Sequence, residues 1–168
     1  MRSLGRIISG GQTGVDRAAL DVALRHDFPH GGWCPKGRKA EDGPIGGQYQ
    51  LMPTPTARYA QRTEWNVRDS DGTVVLTFGA DPTDGSARTI EFCKMYGKPW
   101  LHIARHSTFN PALDLQRFVK ANDIGILNIA GSRESKEPGI GRWAYTVIED
   151  AVFWSQAHPG MLGGPGEG

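Results

Sequence analysis

The chain has 168 residues with 19 basic and 18 acidic side chains, a formal charge of +1 that gives no global signal for nucleic acid or an anionic membrane surface. Its length suits one domain with a full core, and two cysteines, Cys34 and Cys93, are too few for a disulfide framework and read as reduced thiols. No stretch approaches the ~20 apolar residues that cross a bilayer, and no long apolar region follows the first six residues, so a cytoplasmic protein with no membrane partner is expected.

In chain order, Ile7-Ile8-Ser9 reads as a short buried strand. The glycine-rich turn Gly10-Gly11-Gln12-Thr13-Gly14 follows, then a helix from Val15 to Arg25 with Ala18, Ala19, Val22 and Ala23 on one face. Three glycines let the backbone approach a ligand and take positive φ, so successive N–H groups can converge on an anion at the positive end of the helix. The alternative is a tight turn with no ligand. The turn fits neither the Walker pattern, which needs Lys where Val15 stands, nor G-x-G-x-x-G.

Residues 30–35 predict a second strand stopped by Pro35. Lys36 to Ile45 mixes cations with carboxylates and forms no core in this reading; such a loop is functional or a solvated excursion. Residues 56–66 predict a helix, and the near-continuous apolar run 73–78 gives the best strand signal in the chain. After the polar loop Gly79 to Gly85, Asp84 or Ser86 is expected to cap a helix running to Tyr96, with Gly97 as its stop. Residues 99–103 and 125–129 supply a fourth and a fifth strand on either side of a helix opened by Asn110-Pro111. The loop from Ala130 to Pro138 then leads to a last helix over residues 140–154. Residues 1–158 read as one domain and the Gly-rich 159–168 as a flexible tail.

Strands alternate with helices, which predicts the α/β class: a single Rossmann-like three-layer domain with a mainly parallel sheet flanked by helices. Loops that follow strands then leave from one edge, where ligands bind. The loops after strands one, three and five are the polar, glycine-bearing ones, so one shared site is the economical reading. Its candidates are Gly10, Gly11, Gln12, Thr13, Gly14, Asp16 and Arg17 from the first, then Gly79, Gly85 and Ser86 from the second. Ala130, Gly131, Ser132, Arg133, Glu134 and Ser135 come from the third, and Lys36 joins them from the long polar loop. Asp16 either binds a hydroxyl or amino group or stabilises the helix start. Arg133, with Lys136 near it, either clamps an oxyanion through its planar fork or pairs on the surface with Glu134 or Glu137. No residue is assigned a catalytic role. His102 and His106 fall on strand and loop and no Cys/His cluster has ligand spacing, so no protein-coordinated zinc or iron is expected.

The stretch Ile8 to Asp21, I-S-G-G-Q-T-G-V-D-R-A-A-L-D, closely resembles the opening of the molybdenum carrier family. Residues 33–43, 59–72 and 128–140 look like the remaining motifs of that family, so the resemblance spans residues 6–154. It implies a fold similar to that of the lysine-decarboxylase-like, cytokinin-activating phosphoribohydrolases. It also implies a cytosolic homo-oligomer, dimer or tetramer, that binds molybdenum cofactor or a related phosphorylated pterin or nucleotide-like small molecule. Those phosphoribohydrolases carry P-G-G-x-G-T-x-x-E, with glycines that bind phosphate and a glutamate that assists cleavage. The comparable loop here, Glu137 to Trp143, lacks the second glycine, the threonine and the glutamate. A carrier is therefore the first expectation. Hydrolysis of a nucleotide or nucleoside monophosphate, or sensing of a nucleotide-derived ligand, are the alternatives.

Overall fold

The computed structural model describes residues 2–157, and the tail expected over 159–168 lies outside the described residues. The strands are β1 (Arg6–Ile8), β2 (His30–Gly31), β3 (Trp33–Cys34), β4 (Met52–Pro53), β5 (Gly72–Thr77), β6 (Trp100–Ala104) and β7 (Ile126–Gly131). The helices are α1 (Val15–Arg25), α2 (Tyr59–Arg68), α3 (Asp84–Met95), α4 (Pro111–Ala121) and α5 (Ile140–Ala157). Five strands make an all-parallel sheet in the order β2-β1-β7-β5-β6. Helices α1, α4 and α5 pack together on one face, and α2 with α3 on the other. This is the α/β Rossmann-like architecture that the alternation of elements predicts.

The apolar run of β5 is explained by its position. It lies between β7 and β6 under helices on both faces, and all six of its residues are buried. On the α1/α5 side Ile7, Val15, Val22, Leu127, Ile129, Ile140 and Ile148 close the main core. Helix α4 starts as its sequence predicts, with Pro111 in the first turn and the Asn110 side chain accepting from Leu113 N at 3.1 Å. Helix α3 does not: its N-cap is Thr83, without a side-chain hydrogen bond, while Asp84 and Ser86 sit inside the first turn.

Three further departures have physical causes. The strand expected over residues 30–35 is two strands, because Gly32 takes φ +124° where a Cβ would come within 2.3 Å of Ser9 O. The chain turns there out of the main sheet, and β3 pairs with β4 in a separate two-stranded sheet. Strand β7 runs two residues past its expected end, because its ladder with β5 continues through Val75–Ala130 and Leu76–Gly131. Ala130 and Gly131 are thus strand residues.

The third departure is the loop after β3, which does build a core. Ala40, Ile45, Tyr49 and Leu51 are buried against Leu20 and Cys34. At its centre the Arg38 guanidinium donates to four carbonyls: Ile45 O (3.0 Å), Gly46 O (2.8 Å), Tyr49 O (2.8 Å) and Leu51 O (3.3 Å). One planar cation thereby satisfies backbone acceptors that no strand or helix pairs. Both cysteines are free and buried, and no described helix is long and apolar enough to cross a membrane.

If Arg38 holds the 36–51 loop closed, Arg38→Ala and Arg38→Lys should both open it, at a cost of about 2–3 kcal/mol for lost charge-assisted hydrogen bonds. Hydrogen exchange should quicken over residues 39–51 while β5 and β7 stay protected; unchanged exchange in the loop would remove Arg38 from that role.

Candidate functional site

Strands β1, β7 and β5 are neighbours, so the loops that follow them meet at one edge of the sheet. A cleft of about 370 Å³ opens there, within the usual size range of small-molecule sites. Gly10, Asn128, Ala130, Gly131 and Ser132 line it from the sheet side, and Arg133 and Lys136 from the loop after β7. Helix α2 contributes Tyr59, Arg62, Thr63 and Asn66, spaced as one helical face, and the start of α3 contributes Asp84, Gly85, Ser86, Arg88 and Thr89. Four cations, Arg62, Arg88, Arg133 and Lys136, stand against two carboxylates, Asp16 and Asp84, so the lining is net positive.

Those charges are not equivalent. Arg62 Nη1 donates to Asp16 Oδ2 at 2.7 Å, with side chains 12% and 7% exposed, so this pair neutralises itself inside the wall. Its guanidinium lies over Gly10, where a Cβ would sit 1.8 Å from Nη1, so only glycine fits under it. Burial pushes the Asp16 carboxyl up, against the pull of Arg62. Arg62 Nε is buried with no partner among the described residues. At the mouth Lys136 is tied to Asp84, whereas Arg133 stands 3.9 Å from its nearest carboxylate, Glu41, and Arg88 has no ion pair among the described residues. The cations least neutralised by carboxylates therefore lie with the α3 N-terminus, which no side chain caps, in the cleft lining.

Two amides of the glycine turn, and the first amide of α1 after it, are engaged within the protein. Gln12 N donates to Asp16 Oδ2 (3.3 Å), Thr13 N to Gln12 Oε1 (3.0 Å) and Val15 N to Ser132 O (3.2 Å). Gly11 faces away from the cleft, since a Cβ there would strike Ile45 and Leu51 of the 36–51 loop. Thr13 Oγ1 donates to Glu41 and accepts from Glu134 N, and Gly14 packs against the backbone of residues 132–134. Arg17 is bound to Gly11 O and forks onto Asp42, and Lys36 lies in the exposed 3-10 turn Lys36–Arg38. Gly79 N donates to Glu137; the Glu134 carboxylate accepts from Gly139 N and Gly141 N; Ser135 bonds Glu41. Of the residues proposed from sequence, the cleft gathers Gly10, Gln12, Asp16, Gly85, Ser86, Ala130, Gly131, Ser132 and Arg133. Gly11, Thr13, Gly14, Arg17, Lys36, Gly79, Glu134 and Ser135 support the surrounding loops instead.

The cleft lining also includes Arg62, Arg88 and Asn128, which the loop pattern of the sequence does not single out. The signals were present: a helix whose i, i+3, i+4, i+7 face is Tyr59, Arg62, Thr63 and Asn66, and an asparagine inside the run I-L-N-I-A. Among the described residues no group of three or more His, Cys, Asp or Glu side chains is placed to hold a metal ion.

The sequence model of the circularly permutated YpsA SLOG family matches residues 7–152. The chain belongs to this family. A crystal structure from Syntrophus aciditrophicus SB, described as a "Putative molybdenum carrier protein", is 44% identical, with a TM-score of 0.87 over 90% of this chain and 96% of that one. No curated protein matches the chain. The SLOG fold thus supplies the sheet edge at which the cleft opens.

Glu137 ties two of the loops at that edge, accepting from Ser132 Oγ, Phe78 N and Gly79 N. Partial burial pushes its carboxyl up, but these donors outweigh burial and hold it below the ordinary 4.5. A depressed folded value means that its stabilisation is complete above the unfolded value and is lost as pH falls through the folded one. Glu137→Gln should cost about 1–3 kcal/mol at neutral pH. It should also flatten the acid-side decline of thermal stability below about pH 4.5, and melting curves that stay parallel to wild type from neutral to acid pH would contradict this.

Proposed function

We propose that this protein is a carrier which binds a phosphorylated or oxyanionic small molecule, molybdenum cofactor foremost, in the cleft at the carboxyl edge of its sheet. The observation that carries the reading is a pair of weakly paired cations in the cleft with the uncapped start of α3: Arg88, with no ion pair among the described residues, and Arg133, whose ion pair to Glu41 is long at 3.9 Å. A guanidinium matches phosphate or molybdate oxygens through its fork, and a helix start adds N–H donors and partial positive charge. Molybdenum cofactor is a pterin with a terminal phosphate and an oxo-metal group. Arg88, Arg133, Lys136 and Ser86 would hold its anionic groups, and its metal would arrive already ligated by the pterin. The Syntrophus relative described as a molybdenum carrier supports the same reading. A cytosolic homo-oligomer is the setting that the resemblance to molybdenum carriers implies, and it belongs to this proposal.

One observation favours the competing hydrolase reading: Asp16 is a carboxyl with a raised pKa inside a cleft, which suits acid–base work. Against it, Asp16 is committed to Arg62, and Glu134 already occupies the Gly139 and Gly141 amides of the loop comparable to the hydrolase motif. That loop does not line the cleft.

Titration with molybdate, inorganic phosphate and molybdenum cofactor tests the carrier reading. Arg133→Ala, Arg133→Lys and Arg88→Ala should each weaken binding about ten-fold, the scale of a charge-assisted hydrogen bond of about 1.5 kcal/mol, with melting temperature little changed. Wild-type affinity in all three variants would return both arginines to the solvated surface, where an ion pair is worth at most about 1 kcal/mol. Release of free base from AMP, abolished by Asp16→Asn, would favour the hydrolase.

A further inference from the structure

Asn128 is the polar residue in the otherwise apolar run of β7, and it is 2% exposed. Side chains alternate along a strand, so Leu127 and Ile129 enter the main core while Asn128 and Ala130 face the α2/α3 layer and line the cleft. Asn128 Nδ2 donates to Thr73 Oγ1 at 3.2 Å on the neighbouring strand. With Nδ2 turned to the neighbouring strand, the other end of the amide is the carbonyl oxygen. Oδ1 is therefore the end left to the cleft, and it accepts no hydrogen bond among the described residues.

An amide oxygen on the floor of a cleft that is open to the cleft and met by no protein donor is a place where a ligand donor is favourable. The other polar side chains at this depth are engaged. Asn66 bonds Trp33 N and Trp33 O (2.8 and 2.9 Å), and Thr89 Oγ1 donates to Gly85 O (2.8 Å). Ser86, 5% exposed and in the first turn of α3, lines the cleft on the helix side, whereas Asn128 lines it from β7. The cleft is thus two-ended, with an acceptor on its floor and an anion-seeking mouth.

We propose that Asn128 reads a heterocyclic ring: its Oδ1 accepts from a ring N–H or amino group while Arg88, Arg133 and Ser86 hold the anionic end of the same ligand. This rests on the carrier reading and narrows it to ligands that join a donor-bearing ring to a phosphate. Pterin and guanine qualify, since both present ring N–H and amino donors on one edge.

The test measures affinities of GMP, neopterin monophosphate and ring-free ribose 5-phosphate for the wild-type chain and for Asn128→Leu, which keeps the volume and removes the acceptor. Wild type should bind at least one ring-bearing phosphate about ten-fold or more tighter than ribose 5-phosphate. The variant should lose that advantage and keep wild-type affinity for ribose 5-phosphate. Equal wild-type affinity for ringed and ring-free phosphates, which needs no variant, would overturn the proposal. So would a variant that folds and weakens all three alike, since Asn128 would then be structural. If wild type binds none of the three and binds no molybdate, the carrier reading itself fails and takes this subsite with it.

Discussion

Backbone N–H groups at the carboxyl edge of a parallel sheet attract negative charge, and this chain answers several of them with its own carboxylates. Glu137 takes the amides after β5, Glu134 those at the start of α5, and Asp16 one within the glycine turn. Glu41 adds Thr13 Oγ1 and both donors of Ser135, which ties the turn after β1 to the loop after β7. Some of these donors are buried or half-buried, as at Gln12, Phe78 and Gly141, and others, at Ser135 and Gly139, are exposed. Together they order the loops and fix where an outside anion is still attracted. The mouth between α3 and the loop after β7 keeps the least neutralised cations, Arg88 with no ion pair among the described residues and Arg133 at 3.9 Å from Glu41.

The Asp16–Arg62 pair plays a different part. An ion pair this deeply buried gains little net stability, because desolvation offsets its Coulomb attraction, yet removing one partner would strand a charge. Its consequence is positional. Arg62 lies across Gly10, joins α2 to the first turn of α1, and closes the cleft on the side of the glycine turn. The ligand space is thereby shifted from β1 toward β7 and α3, and the polar face of α2 becomes its wall.

Much of this was legible in the sequence. Helix α1 runs over the residues that its periodicity predicts, the buried strand β5 is one position off, and the adjacency of the loops after β1, β5 and β7 follows from parallel alternation. The glycine turn was legible as a turn but not as to what its amides bind. Spacing cannot distinguish an outside anion from Asp16 Oδ2 four residues on, nor show that Gly11 is glycine because Ile45 and Leu51 pack on it. Arg38 was hidden for a related reason, since four carbonyl partners 7 to 13 residues away become neighbours only once the loop has closed. Asn128 and Arg62 lie in a strand and a helix, where a polar side chain reads equally well as structural, so only the packed sheet and α2 show that both face the cleft.

The account stands on where an added anion sits. Crystals soaked in molybdate or tungstate, read by anomalous scattering, locate the oxyanion directly. The account predicts a peak within hydrogen-bond reach of Arg133 and Arg88 beside the first turn of α3, and none at residues 10–14 or 139–141. A peak cradled by the glycine turn, or one displacing Glu134 from the start of α5, would contradict it.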